Sequence, residues 1–146
     1  MHLQIRLIPK TSPPDVDKVL ERLAGKVNLV GVGGSDLEFG GELALVPQDG
    51  QEQDALDALA SYHPRVLHVD DPDSGLKLCV VDSNESGSLH RCLKGIAEEN
   101  LEKGRIIRDI LIGVPDRDQQ AAGQTPVHVY SELIRTPQSL GSNSAA

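Results

Sequence analysis

Apolar positions alternate at the start of the chain. Leu3, Ile5 and Leu7 fall on one side, and Gln4 and Arg6 on the other. A period of two predicts a strand over residues 2–8 with one face buried. After Pro9 the period changes. Val16, Val19, Leu20 and Leu23 recur at helical spacing, with Ser12 as N-cap, Pro13 at the first helical position and Asp15 three residues after the cap. Residues 27–32 (VNLVGV), rich in β-branched side chains, and 43–46 read as two further strands. Residues 37–39 are expected to continue the pairing between them, and Gly40-Gly41 turns the chain. A second helical stripe follows at Ala55, Leu56, Leu59 and Ala60, and residues 65–69 read as a fourth strand. The order is βαββαβ. Two helices on one face of a four-stranded antiparallel sheet is the ferredoxin-like, α+β arrangement.

The turn-rich DDPDSG leads to a second apolar run at residues 76–81. A cluster of turn formers ends that run, and Leu89, Cys92, Leu93, Ile96 and Ala97 then trace one face of a helix. Residues 105–114 and 126–134 are predicted strands, joined by a polar, mobile loop over 115–124. The polar, small-residue segment 136–146 is expected to be a disordered tail. Laying the two helical stripes over each other matches Val16 with Leu89 and Leu23 with Ile96 at a constant offset of 73 residues. The second half stops after βαββ, so it is a partial repeat without the last helix and strand. The expected division is 1–70, a linker at 71–75, and 76–135. An unfinished sheet leaves an open edge, which predicts a homodimer.

Composition narrows the function. The chain has 146 residues, one Phe, two Tyr, no Trp and a net charge of −8, so its core is aliphatic. Neither the basic cluster nor the aromatic platforms that hold nucleic acids are present. No apolar run approaches the roughly 18 residues a membrane span requires, and residues 1–9 are too short, and contain Arg6, for a secretory leader. Cys79 lies in an apolar strand and Cys92 on an apolar helix face. That predicts two buried free thiols and a reducing cytoplasm.

Most candidate motifs have plain readings. Gly31-Val32-Gly33-Gly34-Ser35 lacks dinucleotide-loop spacing and no helix follows it, so a bulged hairpin is expected. Asp70, Asp71 and Asp73 do not meet the calcium-loop pattern. The five histidines show no metal-ligand spacing, and no nucleophile elbow is present. No metal or other cofactor is expected. An enzyme on this sheet would draw on His68, His90 or His128.

The informative stretch is VVDSNESGSLHRCLKGIAEEN, a strand, a tight turn and a helix. A helix start offers unpaired amides to an anion or a small polar ligand. Ser86 or Asn84 capping the helix, with Gly87 relieving the turn, explains the same residues without a ligand. With the following RIIRDILIG, this stretch resembles the ACT domain, a βαββαβ regulatory module that binds amino acids and other small ligands. Asn84, Gly87 and Leu89 match that family's entry to its first helix, while Ser86 stands where proline is usual. Ser12-Pro13-Pro14-Asp15-Val16 and KVNLVGV give the first half a similar outline. The resemblance implies a non-catalytic regulatory protein whose small, amino-acid-like ligand meets Asn84, Glu85, Ser86, Gly87, Ser88 and Leu89. A ligand-free interaction module pairing through its open edge is the alternative.

Overall fold

The computed structural model describes residues 3–9, 13–35 and 40–134. The Ser12 cap, the pairing at 37–39 and the tail at 136–146 lie outside them. The first half contains β1 (Leu3–Leu7), α1 (Pro13–Leu23), β2 (Leu29–Gly34), β3 (Leu43–Pro47), α2 (Glu52–Ala58), a 3-10 turn (Ala60–Tyr62) and β4 (Arg65–His68). The strands pair antiparallel in the order β2-β3-β1-β4, with Ile5 opposite both Leu45 and Val66. This is the ferredoxin-like order. Leu3, Ile5, Leu7, Leu43 and Leu45 meet Val19 and Leu23 of α1 and Ala55 and Leu59 of α2 in one aliphatic core. The expected bulge is present, as a register shift between Leu29 and Gly31.

The second half contains β5 (Leu76–Asp82), α3 (Ser88–Lys103), β6 (Arg105–Ile112), α4 (Arg117–Ala122) and β7 (Gln124–Leu133). Its strands run β5-β7-β6, the same order as β1-β3-β2 without a fourth member. Ile96, Cys92 and Leu93 of α3 pack on Val127 and Val129 of β7. Two expectations change here. The 115–124 segment is not all loop. Asp116 accepts from the Gln119 amide and the Gln119 side chain accepts from the Asp116 amide, a reciprocal cap that starts α4. Cys79 and Cys92 are not separate thiols. Strand and helix bring their Cα atoms to 6.2 Å and the two are joined as a disulfide. The argument for a reducing compartment falls with the free thiols. Among the described residues no helix is long and apolar enough to cross a membrane.

The halves form two separate sheets, stacked face to face with helices outside. The alternation that sends Leu3, Ile5 and Leu7 to the helices sends Gln4 and Arg6 into the seam between sheets. Every residue of β1 is therefore buried, where a strand with one buried face was expected. Leu111 packs on Ala44 and Val46, and Tyr130 and Leu76 pack on Leu67. The approach is close at β2, where a Cβ on Gly31 would sit 2.6 Å from Leu111. The amide of Val114 donates to the carbonyl of Val30, the residue at the bulge, at 2.7 Å.

Gly75 ends the linker with a φ of 71°, and a Cβ there would meet the Ser131 carbonyl oxygen at 2.1 Å. Backbone oxygen cannot step aside as a side-chain tip can. Gly75→Ala is therefore expected to lower stability by about 2 kcal/mol, read as a reduced urea midpoint at unchanged slope.

Candidate functional site

The turn between β5 and α3 is exposed from Ser83 to Gly87 and is built largely from its own hydrogen bonds. The Asp82 amide donates to Ser88 Oγ at 3.0 Å, and the Asn84 amide donates to Asp82 Oδ1 at 2.9 Å. The amides of Glu85 and Ser88 donate to the carbonyls of Asp82 and Glu85. Glu85 pairs with Arg91. Neither Ser86 nor Asn84 caps α3. Gly87 occupies the N-cap with a φ of 82°, a left-handed conformation that suits glycine, and makes no side-chain cap bond. Of the amides expected to be open, that of Ser88 is taken. Those of Leu89 and His90 meet no acceptor among the described residues.

The turn is docked on the end of α4. Ser83 donates to the Gly123 carbonyl from its amide at 2.8 Å and from its hydroxyl at 2.6 Å. The Asn84 amide group lies against Gly123, where a Cβ would meet it at 2.2 Å. Gly123 closes α4 in the left-handed conformation.

The other end of α4 walls a groove of about 810 Å³ across the seam. Its apolar floor is Val30, Leu78 and Val114, one residue set from each sheet, and Asn28, Gln48 and Gln120 line its rim. Asp49 and Asp116 supply negative charge and Arg117 positive charge. The guanidinium of Arg6 is bound to Glu42 and Asp109, that of Arg65 to Glu42, that of Arg91 to Glu85 and that of Arg108 to Glu132. Arg22 bonds Ser61, and Arg105 holds the carbonyls of Pro72, Asp73 and Ser131. Among the described arginines, Arg117 alone has no partner. The volume suits a small organic molecule, and such sites favour the junction between two packed units. Asn84, Glu85, Ser86, Gly87, Ser88 and Leu89 do not line this groove. They touch it only through α4.

Sequence reading passed over Arg117 because the segment looked like loop. The signal was there, in Asp116-x-x-Gln119 just after Pro115. The histidines do not converge. His68 and His90 are exposed on β4 and α3, while His128 is fully buried in the seam. Among the described residues no three His, Cys, Asp or Glu side chains are grouped to hold a metal.

No protein-family model and no curated protein matches the chain. Solved structures do. Protein BT0572 from Bacteroides thetaiotaomicron superposes with a TM-score of 0.55 at 20% identity, over 90% of this chain and 78% of that one. The ligand-free regulatory subunit of aspartate kinase from Thermus thermophilus superposes with a TM-score of 0.52 at 16% identity, over 99% of this chain and 87% of that one. At these identities the likeness establishes the fold, and that fold is ACT-like: a ferredoxin-like unit followed by a partial repeat of itself.

Proposed function

We propose that this protein is a non-catalytic regulatory protein of ACT-like build that binds a small, amino-acid-like molecule in the groove that α4 walls. The observation that carries this reading is the groove itself, with an unpartnered guanidinium over an apolar floor. A carboxylate would pair with Arg117, a hydrophobic side chain would lie on Leu78 and Val30, and an ammonium group would face Asp116. Asn84, Glu85, Ser86, Gly87, Ser88 and Leu89 form a separate candidate site at the other end of α4, where the open amides of Leu89 and His90 can take an anionic or carbonyl group. The likeness to a regulatory subunit supports the regulatory half of the proposal.

We further propose that the protein is a homodimer, without cofactor or metal. The exposed Ile110 and Ile112 on β6, an edge strand, supply an apolar surface for a second copy. Those same residues favour the alternative of a ligand-free interaction module.

Calorimetry against the common L-amino acids separates the two. Saturable binding by at least one is expected, weakened at least about tenfold by Arg117→Ala, the loss of one charge-assisted hydrogen bond. If none of the panel binds, and a stoichiometric protein partner is retained from native lysate, the interaction reading replaces this one.

A further inference from the structure

The disulfide between Cys79 of β5 and Cys92 of α3 joins residues 13 apart in sequence, and the enclosed segment is the 84–89 turn. Three features make this placement consequential. Helix α3 begins at Gly87 with no side-chain cap. Its first turn buries no apolar side chain, with Leu89 and His90 both exposed, and is held by the Ser88–Asp82 bond and the Glu85–Arg91 pair. Cys92 and Leu93 are the first helix residues packed on the sheet. The sulfur–sulfur bond thus stands where the helix start would otherwise fray. Both cysteines sit among Val81, Leu93, Val127 and Val129. Thiols behave as small hydrophobes in such surroundings, so the reduced pair fits the same packing and the fold accommodates either state.

We propose that Cys79 and Cys92 form a reversible redox lock on the start of α3 and on the turn it carries. The oxidant is a low-molecular-weight disulfide. One cysteine, as thiolate, attacks it and releases one small thiol. The second cysteine, as thiolate, then attacks the mixed disulfide and releases the other. Two protein thiols become one disulfide, two electrons pass to the small disulfide, and the two protons end on the small thiols. A dithiol reverses both steps. Control of ligand binding by the lock rests on the function proposed above; the lock itself does not.

The test is hydrogen exchange on the full chain equilibrated with oxidised glutathione or with dithiothreitol. The amides of Arg91, Cys92 and Leu93 are expected to exchange at least about tenfold faster after reduction, while α1 and the first sheet are unchanged. A thiol assay is expected to find two reactive groups in the reduced chain and none in the oxidised one. Cys92→Ala, and reduced chain alkylated at both cysteines, are expected to exchange fast under either condition. Identical exchange in the two states, or failure of glutathione disulfide to restore the bond, overturns the lock. Calorimetry in both states keeps the readings apart. Redox-dependent exchange without any amino-acid binding sinks the ligand reading alone. Binding with exchange indifferent to redox state sinks the lock alone.

Discussion

Arg6→Met is expected to destabilise the protein by about 3 kcal/mol and to lower its melting temperature by about 10 °C. Arg6 is only 3% exposed, yet it carries a charge across the seam. Its guanidinium reaches Asp109 of the second sheet at 2.7 Å and Glu42 of the first at 3.0 Å. It also lies 3.9 Å from the centre of the Tyr130 ring, and its Nε donates to Gln4 at 2.7 Å. Burial works against the charge, but Asp109 and then Glu42 outweigh it, so the pKa of Arg6 is raised above its ordinary value. Methionine replaces the stem and none of these contacts. Gln4 Oε1 then loses its donor inside the seam.

The cost sits at the lower end of the range for breaking a buried pair because Asp109 and Glu42 stay 40% and 33% exposed and can be rehydrated. Arg6→Lys keeps the charge but cannot reach two carboxylates and stack on a ring together, so an intermediate loss is expected. Denaturant unfolding of Arg6→Met, Asp109→Asn and the double variant closes a cycle. A coupling below about 0.5 kcal/mol would show that the Asp109 pair carries none of the loss.

The same residue shows where sequence reading stops. Alternation in β1 was legible, and it correctly separated Leu3, Ile5 and Leu7 from Gln4 and Arg6. Alternation says that two faces differ. It does not say that the polar face meets water. The partners of Arg6 lie 36 and 103 residues away, so nothing local marked it as buried. The repeat was legible through its helical stripes, because a stripe is a local pattern. The groove was not, because it is assembled from β2 and the residue before it, the loop after β3, β5 and the segment around α4, each contributing one to a few residues. The 84–89 turn was read as a strand–turn–helix, correctly, but its cap was misassigned. Ser83 and Asn84 turn away to Gly123, which Ser83 bonds across 40 residues of chain, and leave the helix start to Gly87.

His128→Leu is expected to remove about 3 kcal/mol of acid sensitivity. His128 alternates with Val127 and Val129, which face α3, so its ring enters the seam, where it is fully buried. Neither ring nitrogen finds a partner among the described residues, and the same holds for Nε2 of Gln4. Burial pushes the imidazole pKa down to about 4 from its ordinary 6.5. The unfolded chain therefore binds a proton between about pH 6.5 and 4 that the folded chain refuses, and stability falls as pH falls through that window. Above about pH 6.5 the contribution is fully present. The separation of the two values corresponds to about 3 kcal/mol by pH 4, the amount by which the wild-type curve should drop below that of His128→Leu.

At pH 7 the leucine variant should be more stable by about 1 kcal/mol, since it removes a neutral ring with an unmet donor and acceptor from an apolar layer. Guanidinium unfolding at pH 7, 5.5 and 4.5 measures both effects. Parallel curves for the two proteins would mean that His128 is hydrated or bonded in solution. If the curves converge at pH 7 and separate in acid, the seam excludes a charge but tolerates the neutral ring. A charge forced on His128 would reach the groove, because Leu78, in its floor, is the strand partner of His128. Acid that loosens the seam should weaken any ligand held there before it unfolds α1 and the first sheet.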